Sequence, residues 1–495
     1  MRRLIALMTS VALAGCTVGP DYHVPEAAVP PAFVGPQPSG PTIDPATWWT
    51  VFGDSTLDSL VARALKDNPD IAIAATRVRE ARLQEIGARA SGKPVVNADS
   101  NVTHVEFSKN AGFASLARQF SGGGSSGATG SGNSGGIALP GSGITTYALG
   151  FDANWELDVF GGGRRGIESA LARTVAAEWN RRDAAVMVAA EVAQAYFALR
   201  LDQTQAAVIA QELESQRGAQ RIAGEVARVG LVPSIDVTRQ RSSITSTEAR
   251  LAPIRADVAV RRHALAILLG ESPAALDAEL ARPLPTLAPV PAIPAGLPTD
   301  LLRRRPDIRA AERNLGAATA DIGVAVADLY PKFTLTGLVQ LISSTLATLF
   351  SGNSLQLTGT GAAQFPLVDW GRRGAAVDTR KAQRDEAYTR YRATVLGALR
   401  DVEDALARIE AERARRTALL SAVGDAEASV HAISAQYRTG FVAQDSLLNA
   451  EAQLLAAREQ VAGSDAQLRQ QTIALFKAMG GGWSDQGDPT MLLKQ

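Results

Sequence analysis

The stretch Thr146–Asp158, TYALGFDANWELD, decides the fold. In an extended chain, successive side chains point to opposite faces. Tyr147, Leu149, Phe151, Ala153, Trp155 and Leu157 then share one face, and Ala148, Gly150, Asp152, Asn154, Glu156 and Asp158 share the other. The alternation predicts a strand that is apolar on one side and polar on the other. A tilted strand needs about 9–11 residues to cross a bilayer, and this one is long enough. Its apolar side ends in aromatics, as do the lipid-facing bands of outer-membrane barrels. A soluble half-buried strand also alternates, but length, aromatic girdle and the N-terminal signal described below weigh against it.

Three more strands are expected. Leu355, Leu357, Phe365 and Leu367 alternate with Gln356, Thr358, Thr360 and Gln364. Over 332–342, Phe333, Leu335, Val339 and Leu341 share a face against Lys332, Thr334, Thr336 and Gln340. A poorer strand is expected near 95–107. No strand edge stays unpaired in lipid, so the sheet must close. Four strands are too few, since about eight is the smallest membrane barrel. Several copies must therefore contribute strands, with the acidic face lining the lumen.

The N-terminus, MRRLIALMTSVALAGC, has two Arg, a short apolar run and small residues before Cys16. Residues 1–15 read as a signal peptide. LAGC resembles a bacterial lipobox, which implies cleavage before Cys16 and a covalent lipid on it. Thr17 follows where Asp would favour inner-membrane retention, so outer-membrane delivery is expected. Cys16 is the single Cys, which excludes an intrachain disulfide or a multi-Cys metal site. The apolar run is too short to span a bilayer, and no spanning helix is expected elsewhere. With 495 residues, two or three domains are the default. Lys and Arg total 50 and so do Asp and Glu; nothing basic points to nucleic acid.

The chain is written twice. Asn68-Pro69-Asp70-Ile71 is matched 237 residues later by Arg305-Pro306-Asp307-Ile308, and Pro94 by Pro331. Arg164-Arg165-Gly166 is matched after 208 residues by Arg372-Arg373-Gly374, and Arg228-Val229-Gly230-Leu231 after 210 by Arg438-Thr439-Gly440-Phe441. The shrinking interval locates an excursion in the first copy, which includes the Gly/Ser-rich run SGGGSSGATGSGNSGG. Val237, Ile244, Leu251, Val258 and Leu265 form a heptad strip, repeated by Leu447, Leu454, Val461, Leu468 and Leu475. Such strips predict helices supercoiled on neighbours, although a soluble bundle would show them too. The organisation is then a lipid-anchored extended arm over 16–56, repeat 1 over 57–270 with a loop at about 108–143, and a Pro-rich connector over 271–299. Repeat 2 covers 300–480 and a tail 481–495. Each repeat reads as helix (roughly 57–91 and 300–328), strand, loop, strand, a very long helix (the first from about Gly166 to Ala227) and a return helix. Pro253 is expected to kink the first return helix.

Gly161-Gly162-Gly163-Arg164-Arg165-Gly166 fits G-x-G-x-x-G, but the strand before it carries Asp152, Glu156 and Asp158, wrong for the buried strand of a dinucleotide site. Gly161, Gly163, Gly166, Gly371 and Gly374 are expected as strand-to-helix hinges. No nucleophile, metal or cofactor constellation suggests an enzyme.

CTVGPDY, ELDVFGGGRRG, RRPDI, YRTG and AMGGGW, on a duplicated helix–strand–strand–helix plan, resemble the outer-membrane factors. These are TolC-like channels, and the lipoprotein efflux subgroup that includes NodT-like proteins is closest. The resemblance implies a mixed α and β membrane protein: a trimeric 12-stranded β-barrel, four strands per chain, continued by a long periplasmic α-helical barrel. It implies a passive exit channel without cofactor, lipid-anchored in the outer membrane. The partners would be a periplasmic adaptor and an inner-membrane transporter, of RND type. It places adaptor docking on Val229, Gly230, Leu231, Thr439, Gly440 and Phe441. Relatives often carry an acid where Asn449 stands, at the closed periplasmic mouth. Asp445, one helical turn away, either supplies that gate with Leu448 or is a solvated residue in the first turn of its helix, and Asp236 has a similar standing in repeat 1. Protein secretion or metal-ion export through the same duct, and a coiled-coil spacer without a pore, are the alternatives.

Overall fold

The computed structural model describes residues 17–26, 29–35, 43–106, 143–229, 234–281, 289–290, 293, 296 and 298–483. Cys16, Gly230, Leu231, the loop through residue 142 and the tail beyond 483 lie outside the described residues.

The element order is α1 (Ser55–Asp67), α2 (Pro69–Ser91), β1 (Val95–Glu106), β2 (Gly143–Leu157), α3 (Gly162–Arg228) and α4 (Ser234–Leu268). It continues with α5 (Pro298–Arg304), α6 (Pro306–Ala327), β3 (Lys332–Ser343), β4 (Leu355–Gln364), α7 (Arg372–Arg438) and α8 (Gln444–Ala478). α3 and α7 have 67 residues each, and α4 and α8 have 35 each. At 1.5 Å per residue, each long helix holds about 100 Å of rise. β1 and β3 have 12 residues each. Both intervals of the internal repeat are thus visible in the backbone. The Arg-Arg-Gly triplets depart from it: Arg164 is the third residue of α3, whereas Arg372 is the first of α7.

The compact units do not coincide with the repeats, because each draws on both. One comprises residues up to Asp21, Gln84–Ser169 and Thr319–Ala382. Among the described residues it holds a single antiparallel sheet of order β1-β2-β3-β4. Residues paired across antiparallel strands share a face. Leu149 pairs with Leu341 and Leu341 with Leu355; Phe151 pairs with Val339 and Val339 with Leu357. The apolar face therefore runs across the sheet, and Leu149, Phe151, Trp155, Leu335, Val339, Leu355 and Leu357 are exposed on it. On the other face, Asn97 donates to Asp152 at 3.2 Å and Gln340 to Gln356 at 3.0 Å. Among the described residues, β1 and β4 each keep one unpaired edge. β4 ends at Gln364, so Phe365 and Leu367 fall beyond the strand that alternation assigned to them.

The second unit comprises Tyr22–Leu83, Ala170–Ala318 and Gln383–Gln495. Its core is built on a short 3-10 segment, Pro45–Phe52, whose Trp48 stacks on Phe476 of α8 with centroids 5.1 Å apart. Phe52 meets Phe197 of α3 at 4.7 Å. Leu57, Leu60, Val192, Leu265, Val395, Val402, Ile473 and Leu475 close the same cluster. A smaller cluster of Ile209, Leu213, Ile244 and Leu251 joins α3 to α4 through the heptad strip.

Three local readings change. The helix expected over 57–91 breaks at Asn68, whose side chain accepts from the N–H groups of Asp70 and Ile71 and caps α2, with Pro69 at the first helical position. The helix expected over 300–328 is likewise divided, at Arg305, into α5 and α6. A helical window long and apolar enough to cross a membrane does exist, in Gly162–Glu225, with mean hydropathy 1.4. It is 56% buried inside the fold, the position of a core helix.

Candidate functional site

The candidate residues fall in two places: the strand-to-helix junctions and the tips of the long helices.

At the first junction, Gly161 holds φ +82, and Asp158 caps α3 by accepting from Gly163 N (3.0 Å) and Arg164 N (2.9 Å). At the second, Gly371 holds φ +83, and Asp369 accepts from Gly371 N (3.1 Å) and Arg373 N (3.3 Å). The first four N–H groups of a helix lack intrahelical partners, and a carboxylate there also meets the positive end of the helix dipole. Gly161 and Gly371 supply the left-handed turn. Gly163, Gly166 and Gly374 sit inside the helices without positive φ. One Arg of each pair meets the capping carboxylate: Arg164 with Asp158 at 3.3 Å and Arg373 with Asp369 at 2.6 Å.

The segment that follows Cys16 is fixed to the same junction. Val18 N donates to Phe160 O at 3.1 Å. The buried Arg165 donates to Val18 O (3.3 Å), Asp21 (2.6 Å) and Glu168 (2.8 Å). Gly19 crosses Gly323 so closely that a Cβ on Gly19 would lie 2.5 Å from Gly323 Cα.

The tip after α7 is a Schellman turn: Phe441 N donates to Gln436 O (2.9 Å) and Gly440 N to Tyr437 O (3.0 Å), with Gly440 at φ +75. The turn presents Phe441, 84% exposed, and Val229 is 65% exposed at the end of α3. Thr439 turns its hydroxyl back to Gln436 O at 2.9 Å.

Below the tips, the return helices are tied to each other. Arg239 of α4 reaches Asp445 of α8 at 3.4 Å and Asp236 at 3.9 Å. Buried Gln240 and Gln444 share a hydrogen bond, donated by Gln444. Arg250 bonds both carboxylate oxygens of Glu459 at 2.7 Å. Asp236 and Asp445 are thus brought to one guanidinium; Leu448 is half-buried and Asn449 exposed one turn further along α8. Burial, and then the Asp236 carboxylate, push the Tyr437 hydroxyl above its usual range. Sequence reasoning missed Arg239, Gln240, Gln444 and Tyr437. The Asp236/Arg239 spacing of three was the one available signal.

The other quoted motifs have structural roles. Arg305 pairs with Asp307 at 2.6 Å and Asp401 at 3.3 Å and donates to Ala478 O at the end of α8. Trp483 donates to Arg304 O and packs across Trp179, with Arg182 over both rings.

Residues 60–271 and 297–481 match a family model described as outer membrane efflux protein. The chain is 29% identical over 493 residues to the probable efflux pump outer membrane protein TtgC of Pseudomonas putida, covering 97% of this chain and 95% of that one. It is 28% identical over 487 residues to the cation efflux system protein CusC of Escherichia coli O6:H1, covering 97% and 99%. The fold matches the outer-membrane channel OprN with TM-score 0.83 and 30% identity, over 94% of this chain and 100% of that chain.

Proposed function

The chain belongs to the outer membrane efflux protein family, and on that premise we propose that three copies form the passive exit duct of a tripartite efflux system. The duct lies in the outer membrane and conducts exported compounds outward without chemistry. The observation that carries this reading is the open four-stranded sheet, apolar and exposed on one face, polar on the other, with an unpaired edge on each side. Lipid tolerates no such edge, so the sheet closes with copies of itself. Three copies give twelve strands, with the Asp152 face on the lumen and α3, α4, α7 and α8 continuing as a helical barrel. A lipid on Cys16 anchors each copy at the junction to which Val18 is bound.

Mechanism reduces to two states of the return helices. Closed, Asp236, Asp445, Leu448 and Asn449 line the narrow periplasmic mouth, held by Arg239. Open, an adaptor seated on Val229, Gly230, Leu231, Thr439, Gly440 and Phe441 favours splayed helices. It shifts the equilibrium only by its differential affinity for the two states. An inner-membrane pump of RND type drives the flow. The polar strand face carries Asp99, Asp152 and Glu156 among Asn97, Asn154, Thr334, Thr336, Gln340 and Gln356; these carboxylates, amides and hydroxyls suit polar organic cargo better than soft metals, which select thiolate and imidazole. In a deletion strain, drug accumulation with unchanged copper tolerance is the expected phenotype; the reverse would assign metal-ion export. Planar bilayers test the duct itself. Discrete conductance steps are expected from the purified protein, and a coiled-coil spacer would give none.

A further inference from the structure

Each junction carries an aromatic ring just before its left-handed glycine. In the first repeat Phe160, which precedes left-handed Gly161, stacks on Tyr330, with centroids 4.6 Å apart and planes at 23°. Tyr330 stands just before Pro331 and β3. In the second repeat the residue before left-handed Gly371 is Trp370. Trp370 is 96% exposed, and Leu367 and Val368 beside it are 86% and 71% exposed. Trp370 also has φ 56, the sole non-glycine positive φ among the described residues. A bulky residue keeps that conformation where its surroundings determine it. Within one chain, Trp370 lacks the strand start on which Phe160 rests.

The missing neighbour follows from the repeat. β2 lies beside β3, so β4 should lie beside a β1, yet β1 is at the opposite edge of this sheet. A second copy supplies it. Stepping 210 residues forward carries Phe160 to Trp370, and 237 back carries Tyr330 to Lys93, an exposed residue just before Pro94. The same steps turn the observed pairs Leu157–Phe333 and Trp155–Leu335 into Leu367–Val96 and Phe365–Ala98 between copies. Where the intrachain junction has ring on ring, the junction between copies has an indole facing an ammonium group, which attract one another.

We propose that Trp370 of one copy seats on Lys93 of the next, closing the seam between copies at the level of the strand-to-helix junction. The proposal rests on the closed-barrel reading and adds the residues that set its register. It also explains why β4 stops at Gln364 in the single chain: Phe365 and Leu367 pair only across the seam.

The test uses the full lipidated chain in detergent and two cysteine pairs. Trp370→Cys with Lys93→Cys probes the seat, and Leu367→Cys with Val96→Cys probes the strand edge. A short bis-maleimide should link chains up to the trimer in both, and in neither set of single variants. Linking through the edge pair but not the seat pair would overturn the proposal and leave the barrel standing. No linking in either, with single copies in solution, would remove the barrel and the proposal together. As a second measure, Trp370→Ala or Lys93→Glu should speed dissociation of the trimer in detergent by about two- to fivefold per seam. Trp370→Phe and Lys93→Arg should restore it. Unchanged rates in all four variants would contradict the seat.

Discussion

Arg250 on α4 and Glu459 on α8 form a two-oxygen hydrogen-bonded ion pair, 2.7 Å to each oxygen, that ties the return helices of the two repeats together within one copy. The pair lies more than two turns along α4 from Arg239 and Asp445, so the helices are fastened at two levels. If opening splays these helices, the pair must break. Exposed pairs contribute about 0.2–1 kcal/mol. Glu459→Gln should therefore raise the open probability in bilayers roughly 1.4- to 5-fold, and high salt should erase the difference from the parent protein. Charge swapping, with Arg250→Glu and Glu459→Arg together, should restore closure. An open probability unmoved by either single change would place this pair outside the gate.

Glu451, early in α8, is pushed up to about 7 by burial and then by the nearby carboxylate of Glu212. The folded helices therefore hold a proton that the unfolded chain has released at its ordinary value of 4.5. Between roughly pH 4.5 and 7 the folded state binds more protons, so this group costs stability as pH rises through that window. Glu451→Gln should gain on the order of 1 kcal/mol at pH 7.5, after allowance for partial exposure, and nothing at pH 4. Thermal unfolding followed by helical circular dichroism at the two pH values checks the sign.

Gly440 has φ +75 and open space around its missing Cβ. Gly440→Ala should cost about 1–2 kcal/mol in backbone strain alone and distort the tip that carries Phe441. Gly424, inside α7, also has open space but helical backbone. Gly424→Ala should stabilise α7 by roughly 0.5–1 kcal/mol. Adaptor binding measured by surface resonance should weaken in the first variant and hold in the second.

The apolar face was readable because strand periodicity is local. Phe151 and Trp155 needed only their own neighbours. Duplication was readable because equal intervals survive in Pro69 and Pro306. What failed was information carried across the chain. Phe365 and Leu367 alternate correctly, yet no strand partner among the described residues faces them. Asn68 broke the first helix because a side chain competing for backbone N–H groups outweighs an uninterrupted helical pattern. Arg239 and Asp445 meet from positions 206 residues apart, which no periodicity encodes. Of the five hinge glycines, the two with positive φ differ from the other three by backbone conformation, which sequence type alone does not reveal.

Asp369 was missed for the same reason, and it gives a prediction. It accepts from Gly371 N and Arg373 N at the start of α7. Asp369→Ala should cost about 0.5–2 kcal/mol and Asp369→Asn much less, since an amide oxygen still accepts. Hydrogen exchange at the first turn of α7 should accelerate in the alanine variant and stay near parental in the other.

The claim on which the duct depends is that β1 and β4 find their partners in sister copies. Native mass of the lipidated protein in detergent measures this directly. Three chains per particle is the predicted result. One chain per particle, folded and stable at working concentration, would contradict it.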